Sequence, residues 1–90
     1  MIKFPIGRTL ATPGSLAALE ESGQTPEFFL DRHIQGDWGE VCEEDKQAND
    51  DALTNGDRLL SAYRTLKGQK IWIITEADRS SSTILLPEEY

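Results

Sequence analysis

At 90 residues the chain has room for one domain with an adequate but not generous core, and 38% hydrophobic residues in ordered Ile/Leu/Val and aromatic runs argue against a disordered chain. Sixteen Asp and Glu against nine Lys and Arg leave a net charge of −7, which disfavours a nonspecific hold on a phosphate backbone. The single Cys42 excludes an intrachain disulfide and a cysteine-based metal cage, and no apolar run is long enough to cross a membrane.

In chain order, "KFPIGRTLAT" reads as a first strand, with Pro5 and Gly7 confining regular pairing to its second half or to a sheet edge. "TPGSLAALEESG" predicts a helix: Thr12 caps it, Pro13 opens it, Leu16 and Leu19 share a face, and Gly23 stops it. The same punctuation recurs in "TPEFFLDRHIQG", where Thr25 and Pro26 begin a second helix that Gly36 ends. Its Phe29 and His33, and its Leu30 and Ile34, lie four apart.

Asp37 followed three residues later by Glu40 makes "DWGE" a capping-box pattern, which predicts a third helix from about Trp38 to Leu53, stopped by Gly56. The period then changes to two. "RLLSAYRT" puts Leu59, Ser61 and Tyr63 on one face, "KGQ" is a turn, "KIWIITE" is a strand, "ADRSSS" is a turn, and "STILLP" is the last strand. The expected architecture over residues 1–90 is one α+β domain, β-α-α-α-β-β-β, with helices packed on one face of a four-stranded, mainly antiparallel sheet.

Three groups of residues are candidates for function. Projected as a helix beginning at Trp38, the third helix places Asp45 and Asn49 on an apolar stripe with Val41, Cys42, Ala48 and Ala52. Buried carboxylates and amides need partners, so Asp45, Asn49 and the strand residue Thr75 are expected as buried polar supports, with either a structural or a functional role for Asp45. His33 has the only side chain whose ordinary pKa lies near neutrality and is the first candidate for proton transfer. Ser61, Tyr63, Thr83, Arg64 and Arg79 could line a polar pocket able to hold a phosphate. The third group is the outward acidic run Glu40, Glu43, Glu44, Asp50 and Asp51, a solvated face or a docking surface. No spacing of His, Cys and carboxylates suggests a metal, and no motif suggests a cofactor.

The stretches "HIQGDWG", "EEDKQAND", "RLLSAY" and "KIWIITEADRSSSTILLPEEY" resemble a group of small uncharacterised bacterial proteins of mobile elements, often called plasmid-related. The likeness covers nearly the whole chain and implies relatives without implying a chemistry. The element order is also similar, more distantly, to barnase-type and RelE-type ribonucleases. That topology implies a metal-independent phosphodiester chemistry in which His33 is acid or base, Arg64 or Arg79 stabilises the phosphorane, and Ser61, Tyr63 and Thr83 orient it.

The alternative is a non-catalytic acidic interaction protein, antitoxin-like or an anti-defence inhibitor, presenting carboxylates to a basic protein surface. The expected partner is thus a basic protein or an RNA, with no membrane, in the cytoplasm, and with the chain a monomer or a weak dimer through exposed sheet edges.

Overall fold

The structure, a computed structural model, describes residues 2–90. Its elements are β1 (Arg8–Ala11), α1 (Pro13–Ser22), α2 (Pro26–Ile34), α3 (Glu43–Asn55), β2 (Leu59–Arg64), β3 (Lys70–Thr75) and β4 (Ser81–Leu85), followed by a 3-10 turn over Pro87–Glu89. The fold is α+β in the expected element order. The strands lie in the order β1-β4-β3-β2. The three-helix connection returns the chain to the far edge of the sheet without reversing strand direction, and two hairpin reversals then bring β4 back beside β1. β2, β3 and β4 are therefore antiparallel while β1 pairs with β4 in parallel, and the sheet is mixed.

Local capping explains the first two helices. The Thr12 hydroxyl accepts from the Ser15 N–H, Pro13 stands at the first helical position, and Gly23 takes the left-handed conformation at φ +69°. Thr25 caps α2 in the same way through the Phe28 N–H. The buried face of α1 is Ser15, Ala18 and Leu19, so Leu16, expected to share that face, points to solvent instead. α2 buries Phe29, Leu30 and His33. Phe29 and Leu30, with Ala18 and Leu19 of α1, meet Tyr63, Ile71, Ile73 and Ile84 of the sheet in the larger core cluster. Each large apolar side chain so buried contributes roughly 1.5–3 kcal/mol of transfer free energy.

The third helix departs from expectation. It begins at Glu43, with Cys42 in the cap position and no side-chain cap, and Asp37 and Glu40 form no capping box. Gly39 holds φ +74°, and a Cβ there would overlap the Ala62 carbonyl and the Tyr63 ring. The segment is instead laid along the outer edge of β2. The Ala62 N–H donates to the Trp38 carbonyl at 3.1 Å, and the Glu40 N–H donates to the Ala62 carbonyl at 2.6 Å. Ladder hydrogen bonds to a strand distant in sequence outweigh a local cap that would place a glycine inside a helix. α3 then packs only through its later turns, where Ala52 joins Phe4, Trp38 and Leu59 in a second core cluster.

That shift moves the predicted stripe. Glu43, Glu44 and Asp45 of the first turn are all exposed, as is Cys42, so the expected burial of Asp45 and Cys42 is overturned. Asn49 is buried, and its amide mimics a strand: Nδ2 donates to the Leu60 carbonyl at 2.7 Å and Oδ1 accepts from the Leu60 N–H at 3.0 Å.

Candidate functional site

α2 sets His33 down on the middle of the sheet, on the face shared by Ser61 of β2, Thr75 of β3 and Ser82 of β4. The strand period of two puts Ser61 beside Leu59 and Tyr63, Thr75 beside Ile71 and Ile73, and Ser82 beside Ile84, all turned toward the helices. All four polar residues of this cluster are fully buried, at 0% exposure. Phe4 and Trp38 close over the imidazole edge-on, with ring centroids at 5.2 and 5.6 Å.

Proton supply fixes the direction of every bond in the cluster. The Ser82 hydroxyl donates to the Ile6 carbonyl at 2.8 Å, and a carbonyl can only accept. The Thr75–Ser82 contact at 2.7 Å must therefore carry the Thr75 proton, which leaves the Thr75 oxygen to accept from His33 Nε2–H at 2.8 Å. Nδ1 then accepts from the Ser61 hydroxyl at 2.5 Å. The result is a neutral Nε2–H tautomer in a one-way chain from Ser61 to Ile6 that touches β2, β3, β4 and the segment entering β1. No buried side-chain polar atom among the described residues lacks a partner, so the network is fully satisfied.

Burial, and secondarily the positive charge of Arg79, push the His33 pKa down to about 4. The imidazole is therefore uncharged at neutral pH, with both nitrogens committed to hydroxyls. Burial likewise raises the pKa of Tyr63, whose hydroxyl donates to the Asp37 carbonyl at 2.6 Å. The Arg32 guanidinium sits 4.6 Å from the Tyr63 ring centre and grips Asp37 through two hydrogen bonds, at 2.7 and 3.3 Å, holding that carboxyl below its usual range.

The remaining candidates do not gather around His33. Arg64 is exposed at the end of β2 with its side chain on the other face of the sheet, and it pairs with Glu40 at 2.9 Å. Arg79, at φ +61° in the β3–β4 turn, spends its guanidinium on the carbonyls of Asp57 at 2.7 Å, Ala52 at 3.0 Å, Glu76 at 3.1 Å and Ala77 at 3.2 Å. There it ties the turn to the C-terminal end of α3, where the helix dipole favours a cation. Thr83 pairs in register with Ile74 on the face away from the helices. Ser82, its neighbour, holds the buried position, as the period of two set by Ile84 already implies. Asp45 lies in solvent and Asn49 serves the β2 edge. The polar set expected to form a phosphate pocket is thus split between the core, an edge and a turn, and His33 itself is fully buried.

Two surface features remain. The outer face of α3 is a helix surface of five carboxylates, Glu43, Glu44, Asp45, Asp50 and Asp51, against Lys46 alone. Among the described residues its only ion pair is Lys46–Glu43 at 3.5 Å; Asp50 accepts from the Trp38 indole N–H and Asp51 from Gln47. On the uncovered face of the sheet, a shallow groove of about 300 Å³ is lined by Arg58, Leu60, Trp72, Ile74 and Tyr90 and offers one charged group. No group of three or more His, Cys, Asp or Glu among the described residues is placed to hold a metal ion. No helix among them is long and apolar enough to cross a membrane. No family model, no curated protein and no solved structure matches the chain.

Proposed function

We propose that the protein acts as a non-catalytic interaction module whose α3 carboxylates dock onto a basic protein surface. The observation that carries this reading is the outer face of α3, where Glu44 and Asp45 have no ion pair among the described residues and Glu43 has only a long one to Lys46. A basic surface would supply the missing counter-charges and would be steered toward the helix at long range, an attraction that falls with ionic strength. Glu40 contributes less than its neighbours, because Arg64 already neutralises it. The burial of His33 supports docking over a ribonuclease chemistry, since a phosphodiester has to touch its acid or base.

The test is capture of basic polypeptides by the immobilised protein across a salt series. Binding should weaken as salt rises and should fall by about tenfold or more in the double reversal Glu43→Lys with Glu44→Lys, whose sites are exposed and leave the core untouched. Binding retained at full strength by the double reversal would overturn the proposal. So would metal-independent RNA cleavage that disappears in His33→Ala while the fold persists.

A further inference from the structure

Strand β1 is a sheet edge, and its pairing with β4 shows which of its backbone groups are free. The Arg8 N–H donates to the Ser80 carbonyl at 3.0 Å and the Thr12 N–H to the Ile84 carbonyl at 3.0 Å, with Leu10 in phase between them, opposite Thr83. Residues 8, 10 and 12 therefore turn their ladder groups toward β4, while Thr9 and Ala11 turn an N–H and a C=O each away from the sheet. Beside them lies a hollow of about 160 Å³, bordered by residues 9–11 of the strand, by Pro26, Glu27 and Leu30 at the start of α2, and by Ile84. On the opposite face Leu10 is 44% exposed at the centre of the strand.

We infer that β1 is a self-pairing edge: two copies of the chain join antiparallel about a two-fold axis at Leu10, extending the sheet to eight strands. In this register Thr9 lies opposite Ala11 of the second copy and Ala11 opposite its Thr9. Each pair exchanges two backbone hydrogen bonds, so all four free groups on each strand are satisfied. Leu10 meets its own copy at the closely spaced position, where side chains are nearest. The small Thr9 and Ala11 side chains of the second strand fall on the side of the hollow.

Register and charge both select this arrangement. Sliding the pairing one way sets Ala11 opposite Gly7, which is off the strand at φ +65°; sliding it the other way sets Thr9 opposite Pro13, which has no N–H to give. Arg8, which has no ion pair among the described residues, comes to lie opposite Thr12 of the second copy. The Thr12 hydroxyl is already bonded to the Glu89 carboxylate, so each free cation meets an anion held in place for it. Arg8 is thereby a positive element of this contact and not a guard against it.

Sedimentation of the full chain from micromolar to millimolar concentration, with amide exchange measured at both ends of the series, tests the inference. A reversible monomer–dimer equilibrium is expected, with the Thr9 and Ala11 amides gaining protection as dimer forms. Leu10→Asp, at an exposed position, should raise the dissociation constant by about tenfold or more. Thr9→Pro removes one outward donor and should do the same. Arg8→Glu should weaken the dimer, and adding Glu89→Arg should restore it in part. A chain that stays monomeric throughout would overturn the inference. So would a dimer that survives both Leu10→Asp and Thr9→Pro, one that leaves those two amides unprotected, or an edge that captures extended peptides of other proteins while the chain remains monomeric.

Discussion

Along β2 the outward-facing backbone groups of Leu60 and Ala62 are all engaged, by the Asn49 amide and by the Trp38–Glu40 segment, whereas along β1 the corresponding groups of Thr9 and Ala11 face solvent. Both strands are edges of one sheet. The difference lies in what the chain has available to cover them: the α2–α3 connection passes β2, and α3 follows it with a side chain of the right length and amide geometry. β1 leads straight into α1 and has no such cover. An edge closed by the chain's own groups resists pairing with other strands, and an edge left open invites it. The hydroxyl chain through His33 connects the two sides, running from Ser61 on the closed strand to the Ile6 carbonyl beside the open one.

Removing the cover from the closed edge should have the largest effect on stability. Asn49→Ala strips partners from both the Leu60 N–H and its carbonyl, and a loss of about 3–4 kcal/mol is expected in denaturant unfolding. A loss under about 1 kcal/mol would mean that water replaces the amide and that the β2 edge is less closed than the geometry indicates.

The hydroxyl chain comes next. The folded His33 pKa is near 4 and the unfolded value 6.5, so the unfolded chain binds the extra proton first as pH falls. Stability contributed by the neutral imidazole is therefore full above about 6.5, declines below it and levels off under about 4, for a total of about 3 kcal/mol. Unfolding measured against pH in wild type and His33→Gln should show this part of the slope only in wild type. An equal slope in both would place the acid sensitivity in the carboxylates instead.

The smallest effect belongs to the open edge. Proline in place of Thr9 deletes an N–H that bonds nothing within the chain, and a change within about 1 kcal/mol is expected in the same unfolding measurement under monomeric conditions. A large loss there would show that the Thr9 N–H has an internal partner, and the contrast between the two edges would fail.

Much of this fold could be read from local signals. The Thr-Pro starts of α1 and α2 and the period of two in the last three strands were legible because a cap, a proline and strand alternation act over a few residues. The same alternation carries the expected burial of Thr75; Ser61, read as lining a polar pocket, is buried as well, and the phase set by Ile84 turns Ser82 rather than Thr83 toward the helices. "DWGE" misled because a capping box and a segment paired to a distant strand share the same residue types. A helix counted from Trp38 sets Asp45 and Cys42 on the apolar stripe, whereas one that starts at Glu43 leaves both exposed.

Periodicity, capping and charge, read in the sequence alone, determined the element order, the starts of α1 and α2, the inward faces of β2 and β3 and the acidic surface of α3. Only the tertiary structure decided that Trp38–Glu40 pairs with β2, that Asn49 completes the same edge, and that His33 is sealed and neutral with its proton on Nε2. Those outcomes depend on contacts between residues far apart in the chain, where backbone groups must find partners and a buried imidazole takes the tautomer its hydroxyl neighbours allow.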